Sequence, residues 1–188
     1  MNIYDFDNTI YSGDSTVHFV LYNIKVQPSL FFRHFPRVAG MFLLYKMHFK
    51  TLTETKQSLY RFFRDVPDME KRVSDFWACH LQNLKKWYPG IHREDDVIFS
   101  ASPDFLVRPA CESAGIRHII ASRVDIRTGV YDGTNCSGEE KIRRFRKEFP
   151  DAEVMNAFSD SRSDDPMCSM ARQAFMVRGD EFLPWPEE

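Results

Sequence analysis

From Asp96 onward, short hydrophobic runs alternate with helical segments, and that alternation restricts the fold more than any other feature of the chain. Val97-Ile98-Phe99 reads as a buried strand. Ser102 and Pro103 read as the N-cap and first position of a helix that runs to Gly115, and His118–Ala121 is the next strand. Arg123–Gly133 alternates polar and apolar residues around Thr128-Gly129, which predicts a small hairpin. A basic helix over Glu139–Phe149, a strand over Val154–Phe158, a short helix from about Pro166 and a last strand at Ala174–Val177 complete the series. Strands separated by helices pair in parallel, so the expected class is α/β with a doubly wound, mainly parallel sheet. In such sheets the chemistry gathers at the carboxyl ends of the strands.

Ahead of this series stand one short strand, Asn2–Tyr4, and a block from Ser15 to Tyr88 that is helical throughout. Thr51 and Glu54 have capping-box spacing, and Pro28, Pro36, Pro67 and Pro89 are expected to punctuate the helices. The block is therefore an insertion between the first strand and the rest of the sheet. Its composition differs from the remainder. Residues 17–63 hold seven cations and the single acid Glu54, a net +6, which leaves −8 elsewhere in a chain whose total is −2. The same stretch holds eleven aromatic residues. They are expected to fill the block's own core. The alternative places Phe31, Phe32, Phe35, Arg33 and Arg37 at an anionic bilayer.

Polar clusters fall where the strands end. Asp5 and Asp7 follow the first strand; two acids beside a divalent cation suit phosphoryl transfer, although a lone D-x-D is more often a solvated strand end. Asp160, Asp164 and Asp165 follow a later strand and offer the hard oxygen ligands that Mg²⁺ takes, with a helix-capping role as the plainer reading, above all for Asp165. Ser100, in Ser100-Ala101-Ser102 before a helix, could seat a phosphate; Ser102 by itself reads as a cap. Lys141 would be an ordinary solvated lysine were it not that a phosphate site needs a fixed cation. Arg143, Arg144, Arg146 and Lys147 compete for that role.

Composition narrows the class further. The small net charge gives no field for nucleic acid. Cys79, Cys111, Cys136 and Cys168 lack disulfide or zinc spacing, the N-terminus shows no signal-peptide pattern, and the longest apolar run, Val38–Leu44, is far short of the ~20 residues of a membrane span. A soluble cytoplasmic protein is expected, with no partner protein indicated.

In order, these residues resemble the four motifs of the haloacid dehalogenase superfamily, in the branch that contains phosphoserine phosphatase. Asp5-Phe6-Asp7-Asn8-Thr9 matches the first, the run ending at Ser100 the second, Gly138-Glu139-Glu140-Lys141 the third, and Ser159-Asp160-Ser161-Arg162-Ser163-Asp164 the fourth. The resemblance implies a Rossmann-like core over residues 1–14 and 90–188, with a helical cap domain over 15–89. It implies Asp5 as nucleophile and Asp7 as acid and base, with Mg²⁺ held by Asp5, the Asp7 carbonyl and Asp160 and ordered by Asp164. Ser100, the Ala101 amide and Lys141 would bind the phosphoryl group. Asp14 stands where the branch holds its substrate's amino group, and it also reads as the N-cap of the helix from Ser15. Asp7 favours phosphomonoester hydrolysis, because dehalogenases lack that acid. Ser159, Ser161 and Ala101 replace glycines common in the family, which raises a question of loop geometry. The expected activity is Mg²⁺-dependent hydrolysis of a small phosphorylated metabolite through an aspartyl-phosphate. The alternatives are a lipid-linked phosphate substrate and a non-catalytic binding module.

Overall fold

Consecutive residues of the central strands point to opposite faces of the sheet, and each face builds its own core. Ile3, Val97 and Phe99 join Phe145, Ala157 and Met167 on one side, while Tyr4, Ile98 and Phe158 join Phe6, Trp77 and Leu106 on the other. The computed structural model describes residues 1–186, so Glu187 and Glu188 of the expected core lie outside the described residues. The six strands are β1 (Asn2–Asp5), β2 (Val97–Pro103), β3 (His118–Ser122), β4 (Val154–Ser159), β5 (Ala171–Arg178) and β6 (Glu181–Pro184). They lie in the order β3-β2-β1-β4-β5-β6, parallel except where β6 turns back on β5. The doubly wound α/β class is thus observed. β1 is central, and its two neighbours diverge from it in chain order, so its carboxyl end opens at the switch point of the sheet.

Between β1 and β2 the chain makes the helical insertion: α1 (Ser15–Val26), α2 (Ser29–Lys46), α3 (Leu52–Tyr60), α4 (Met69–His80) and the one-turn α5 (Tyr88–Ile91). α6 (Asp104–Ser113), α7 (Glu139–Glu148) and the one-turn α8 (Asp165–Cys168) follow within the sheet region. Side-chain caps fix where the inserted helices begin. Asp14 accepts from the Val17 amide at 2.8 Å, and Asp68 accepts from the Lys71 amide at 2.9 Å. Thr51 and Glu54 form the full capping box. No helix among the described residues is long and apolar enough to cross a membrane.

Several expectations are corrected. Pro36 lies inside α2 instead of ending it, on a stretch open to water that can satisfy the freed carbonyl. Arg123–Gly133 is not a two-stranded hairpin but a loop closed by one bridge, Val124 to Tyr131. β5 extends further than its apolar run, and β6 carries no apolar alternation that would have announced it. The largest departure concerns the aromatics. Phe19, Tyr60, Phe62 and Phe63 are core residues, whereas Phe31, Phe32, Phe35, Phe42 and Phe49 are exposed. The aromatic residues of α2 therefore do not fill an internal core: Leu30 is its only buried residue.

Candidate active site

The carboxyl end of β1 carries Asp5, whose buried carboxylate faces the same side of the sheet as Ile3. From that side α7 supplies a cation. Lys141 and Phe145 are one helical turn apart, so they share a face. Phe145 is fully buried against Phe99, and this anchors the helix at roughly 2–3 kcal/mol of burial. Lys141, on the same stripe, is thereby aimed at the strand end. Its Nζ donates to Asp5 Oδ1 at 2.7 Å and to Asp164 Oδ1 at 2.6 Å. The competing cations of α7 point elsewhere. Arg143 and Arg144 clasp Glu140, Arg144 also donates to the Ala121 and Thr134 carbonyls, and Arg146 reaches the Ala152 carbonyl.

Charge in this cluster is unbalanced. Burial works against the Lys141 ammonium, but Asp5 and Asp164 outweigh it and raise its pKa, so it stays protonated. For Asp5, burial pushes the carboxyl up; Lys141 offsets this only in part, and Asp164 and Asp7 add to the rise. Asp160 is raised by burial and by Asp164. Asp164 is the inner acid of its loop. It is 3% exposed, and Ser159 Oγ donates to its second oxygen at 2.7 Å. Asp165 turns outward instead, accepting from Trp185 Nε1 and pairing with Arg162, so it neither caps a helix nor enters the cluster.

Asp7 is held apart from Asp5 by a separate set of donors. The Ser15 amide reaches Oδ1 at 2.6 Å, while Ser102 Oγ at 2.7 Å and Ser100 Oγ at 3.2 Å reach Oδ2. Burial raises its pKa, with Asp14 adding, against these bonds. Ser102 is thus not a helix cap: β2 continues through Pro103, α6 begins at Asp104, and the Ser102 hydroxyl is drawn to Asp7. Ser100 also accepts from the Ser102 amide, which folds the Ser100-Ala101-Ser102 turn around the acid. Asp14 caps α1 at the rim and is exposed. The substituted glycines cause no strain. Among the described residues only Asn8 and His48 are non-glycine residues with positive φ, so Ala101, Ser159 and Ser161 occupy ordinary backbone regions.

Two lysines of the insertion belong to this neighbourhood, and sequence reasoning did not single them out. Lys56 of α3 is partly buried within electrostatic reach of Asp14, Asp7 and Asp5; burial lowers its pKa while those acids pull it back. Lys85 is buried and donates to the carbonyls of Asn8, at 2.9 Å, and Gly179. It fastens the turn after Asp7, where Asn8 has φ 58°, to the end of β5. The net charge of the basic block pointed toward residues such as Lys56, whereas Lys85 lies outside that block, and only the tertiary packing selects which lysines face inward.

Among the described residues no three His, Cys, Asp or Glu side chains form a ready-made metal cage. The donor set nonetheless suits Mg²⁺, which takes one or two carboxylates and completes its shell with water and substrate oxygens. Asp5 and Asp164 share the one buried ammonium, Asp7 and Asp160 lie within electrostatic reach of that pair, and burial raises the cost of each uncompensated negative charge.

The chain is similar to several known proteins. A histidinol-phosphatase of Neisseria meningitidis is 23% identical over 96% of this chain and 91% of its own length. A protein of unknown function from Bordetella pertussis superposes with a TM-score of 0.77 at 18% identity, covering 94% of this chain and 88% of the other. A phosphoserine phosphatase solved as an analogue of its phospho-aspartyl intermediate gives 0.56 at 16% identity, covering 93% and 84%. Residues 3–169 match the model of the haloacid dehalogenase-like hydrolases, and the chain belongs to that family.

Proposed function

We propose that the protein is a Mg²⁺-dependent phosphatase that hydrolyses a phosphomonoester of a small metabolite through a phosphorylated Asp5. The observation that carries this reading is the placement of Lys141 between Asp5 and Asp164 at the end of the central strand, with Asp7 held separately on the other side. Asp5 presents a carboxylate oxygen that can attack phosphorus, and Lys141 and Ser100, with the Ala101 amide, receive the phosphoryl oxygens. Asp7, whose pKa burial raises, gives its proton to the leaving oxygen and then takes one from the water that cleaves the acyl phosphate. Mg²⁺ would be held by Asp5, the Asp7 carbonyl and Asp160, with Asp164 ordering the site, and would supply positive charge to the transferring group.

The inserted helices act in this reading as a cap over residues 15–89 that excludes water and selects the leaving group, with Lys56 and Asp14 facing the substrate from its rim. The similarity to a histidinol-phosphatase and to phosphoserine phosphatases supports a small, soluble phosphomonoester. The test is hydrolysis of an aryl phosphate with and without Mg²⁺, beside Asp5→Asn. Turnover that needs both supports the proposal. A folded protein that binds phosphorylated metabolites but hydrolyses none of a broad panel would instead be a binding module.

A further inference from the structure

α2 turns several large apolar side chains outward to water. Its covered positions are Leu30, His34, Val38 and Met41, spaced as one stripe of a helix, and they hold α2 against the rest of the insertion. His34 Nε2 bonds Asp65 at 2.6 Å from that side, which fixes the helix's rotation. The remaining positions face water, with Phe32 76%, Phe35 53% and Leu43 60% exposed, and Phe49 in the following turn 68% exposed. Scattered exposed apolar residues are ordinary, but a contiguous set of this size on one helix marks a contact surface.

The charge around this face says what the contact is. From Ser15 to Thr53 there is no Asp or Glu at all, while Lys25, Arg33, Arg37, Lys46 and Lys50 all fall there. Lys25, Arg37 and Lys46 have no ion-pair partner among the described residues, and Lys46 lies over the Phe42 ring, 5.2 Å from its centroid. Arg37, Lys50 and Arg61 also border a cavity of about 260 Å³ between α2 and α3, beside Glu54 and the Ser58 hydroxyl. That hydroxyl is buried and has no hydrogen-bond partner among the described residues. Exposed aromatics edged by unpaired cations match the boundary of an anionic bilayer, where rings enter the acyl region and cations meet acidic headgroups. With 18 residues and several charges, α2 would lie on such a surface and not span it.

We propose that α2 and the turn after it dock the protein on an anionic membrane surface, with Phe32, Phe35 and Leu43 entering the interface and Lys25 and Lys46 facing its headgroups. This goes beyond the proposed catalytic reading and does not depend on it, because Asp5→Asn protein should bind membranes as the wild type does. The experiment is co-sedimentation of the full chain with vesicles of phosphatidylcholine alone and of phosphatidylcholine mixed with phosphatidylglycerol. Binding should need the anionic lipid and weaken as salt rises. Lys25→Gln and Lys46→Gln should each weaken it about fivefold. Phe32→Ser with Leu43→Ser should weaken it by about tenfold or more while leaving the melting temperature unchanged, since both side chains are exposed. Equal binding to both vesicle types, or none to either, would overturn the proposal. So would a dimer that forms without lipid and is abolished by the same serine substitutions in a protein that ignores vesicles. If the serine variant misfolds, the charge substitutions alone decide the matter.

Discussion

Asp7 and Asp5 are two residues apart, yet each answers to different neighbours, and that separation sets their expected behaviour on substitution. Asp5 is tied to a buried ammonium, whereas Asp7 sits among two hydroxyls and an amide. Asp7→Asn keeps the shape and most of those bonds but cannot deliver a proton. It should lower kcat by about 10²–10⁴-fold on an alkyl phosphate. The loss should be much smaller in the phosphorylation step with a nitrophenyl ester, whose leaving oxygen needs little protonation. Comparing single turnovers on the two esters checks this, and equal losses would remove Asp7 from the acid role. Lys56 has a different expected signature. Because it approaches the acids from α3 and is not part of the sheet-end cluster, Lys56→Ala should raise KM more than it lowers kcat. A drop confined to kcat would place it among the reacting groups instead.

At the scale of elements, one set of contacts ties the loop over 123–133 to the insertion and another pairs charges along α7. The loop over 123–133 lies against the end of α3: a Cβ on Gly129, which has φ +69°, would meet the Tyr60 carbonyl oxygen at 2.2 Å. Arg64 also donates to the Thr128 carbonyl. Gly129→Ala therefore combines a left-handed backbone with a clash against main chain. It should cost about 1–3 kcal/mol in urea denaturation and open this loop to proteolysis. A variant as stable and protease-resistant as wild type would show that the loop does not brace α3. On α7, Arg143 and then Arg144 hold Glu140 down to about 2, from an ordinary 4.5. A depressed carboxyl stabilises the fold above its unfolded value and loses that contribution as pH falls toward the folded one. Glu140→Gln should thus cost about 1–2 kcal/mol at neutral pH, solvent around the exposed Arg143 screening the rest. The gap from wild type should narrow below about 4.5, which urea midpoints across that range will show. These elements also show how far the sequence was readable. The strands with strong apolar runs and the capping box of α3 were legible because pattern and structure are both local there. Lys141 was legible through its motif, and its i+4 partner Phe145 gives the physical reason that this cation of α7 reaches Asp5. Ser102 was misread as a cap because its partner, Asp7, is 95 residues away. The Phe31–Phe35 cluster was misread because aromatic content carries no record of which face meets protein. β6 was missed since an edge strand with all four residues exposed need not alternate.

Over the whole molecule, the insertion carries the positive charge and the sheet the negative, and Asp5, Asp7, Asp160 and Asp164 stand at or just after the carboxyl ends of β1 and β4. There Lys141 is the one ammonium shared by Asp5 and Asp164, with Asp7 and Asp160 within electrostatic reach, so an added cation is expected to relieve their repulsion. A ligand that binds only the folded state adds RT ln(1 + [L]/Kd) to stability. At ten times its Kd, Mg²⁺ should contribute about 1.4 kcal/mol and raise the melting temperature of a chain this size by roughly 3–6 °C. Asp160→Asn should abolish that rise. In a chelator it should melt no lower than wild type, because it removes one of several mutually repelling, partly buried charges. Calorimetric melting of both proteins, in Mg²⁺ and in chelator, separates this from a structural role. If Asp160 merely supported its loop, the variant would melt lower in chelator and keep its response to Mg²⁺. An identical Mg²⁺ shift in both proteins would move the metal away from Asp160 and leave the acid excess at β1 without a partner.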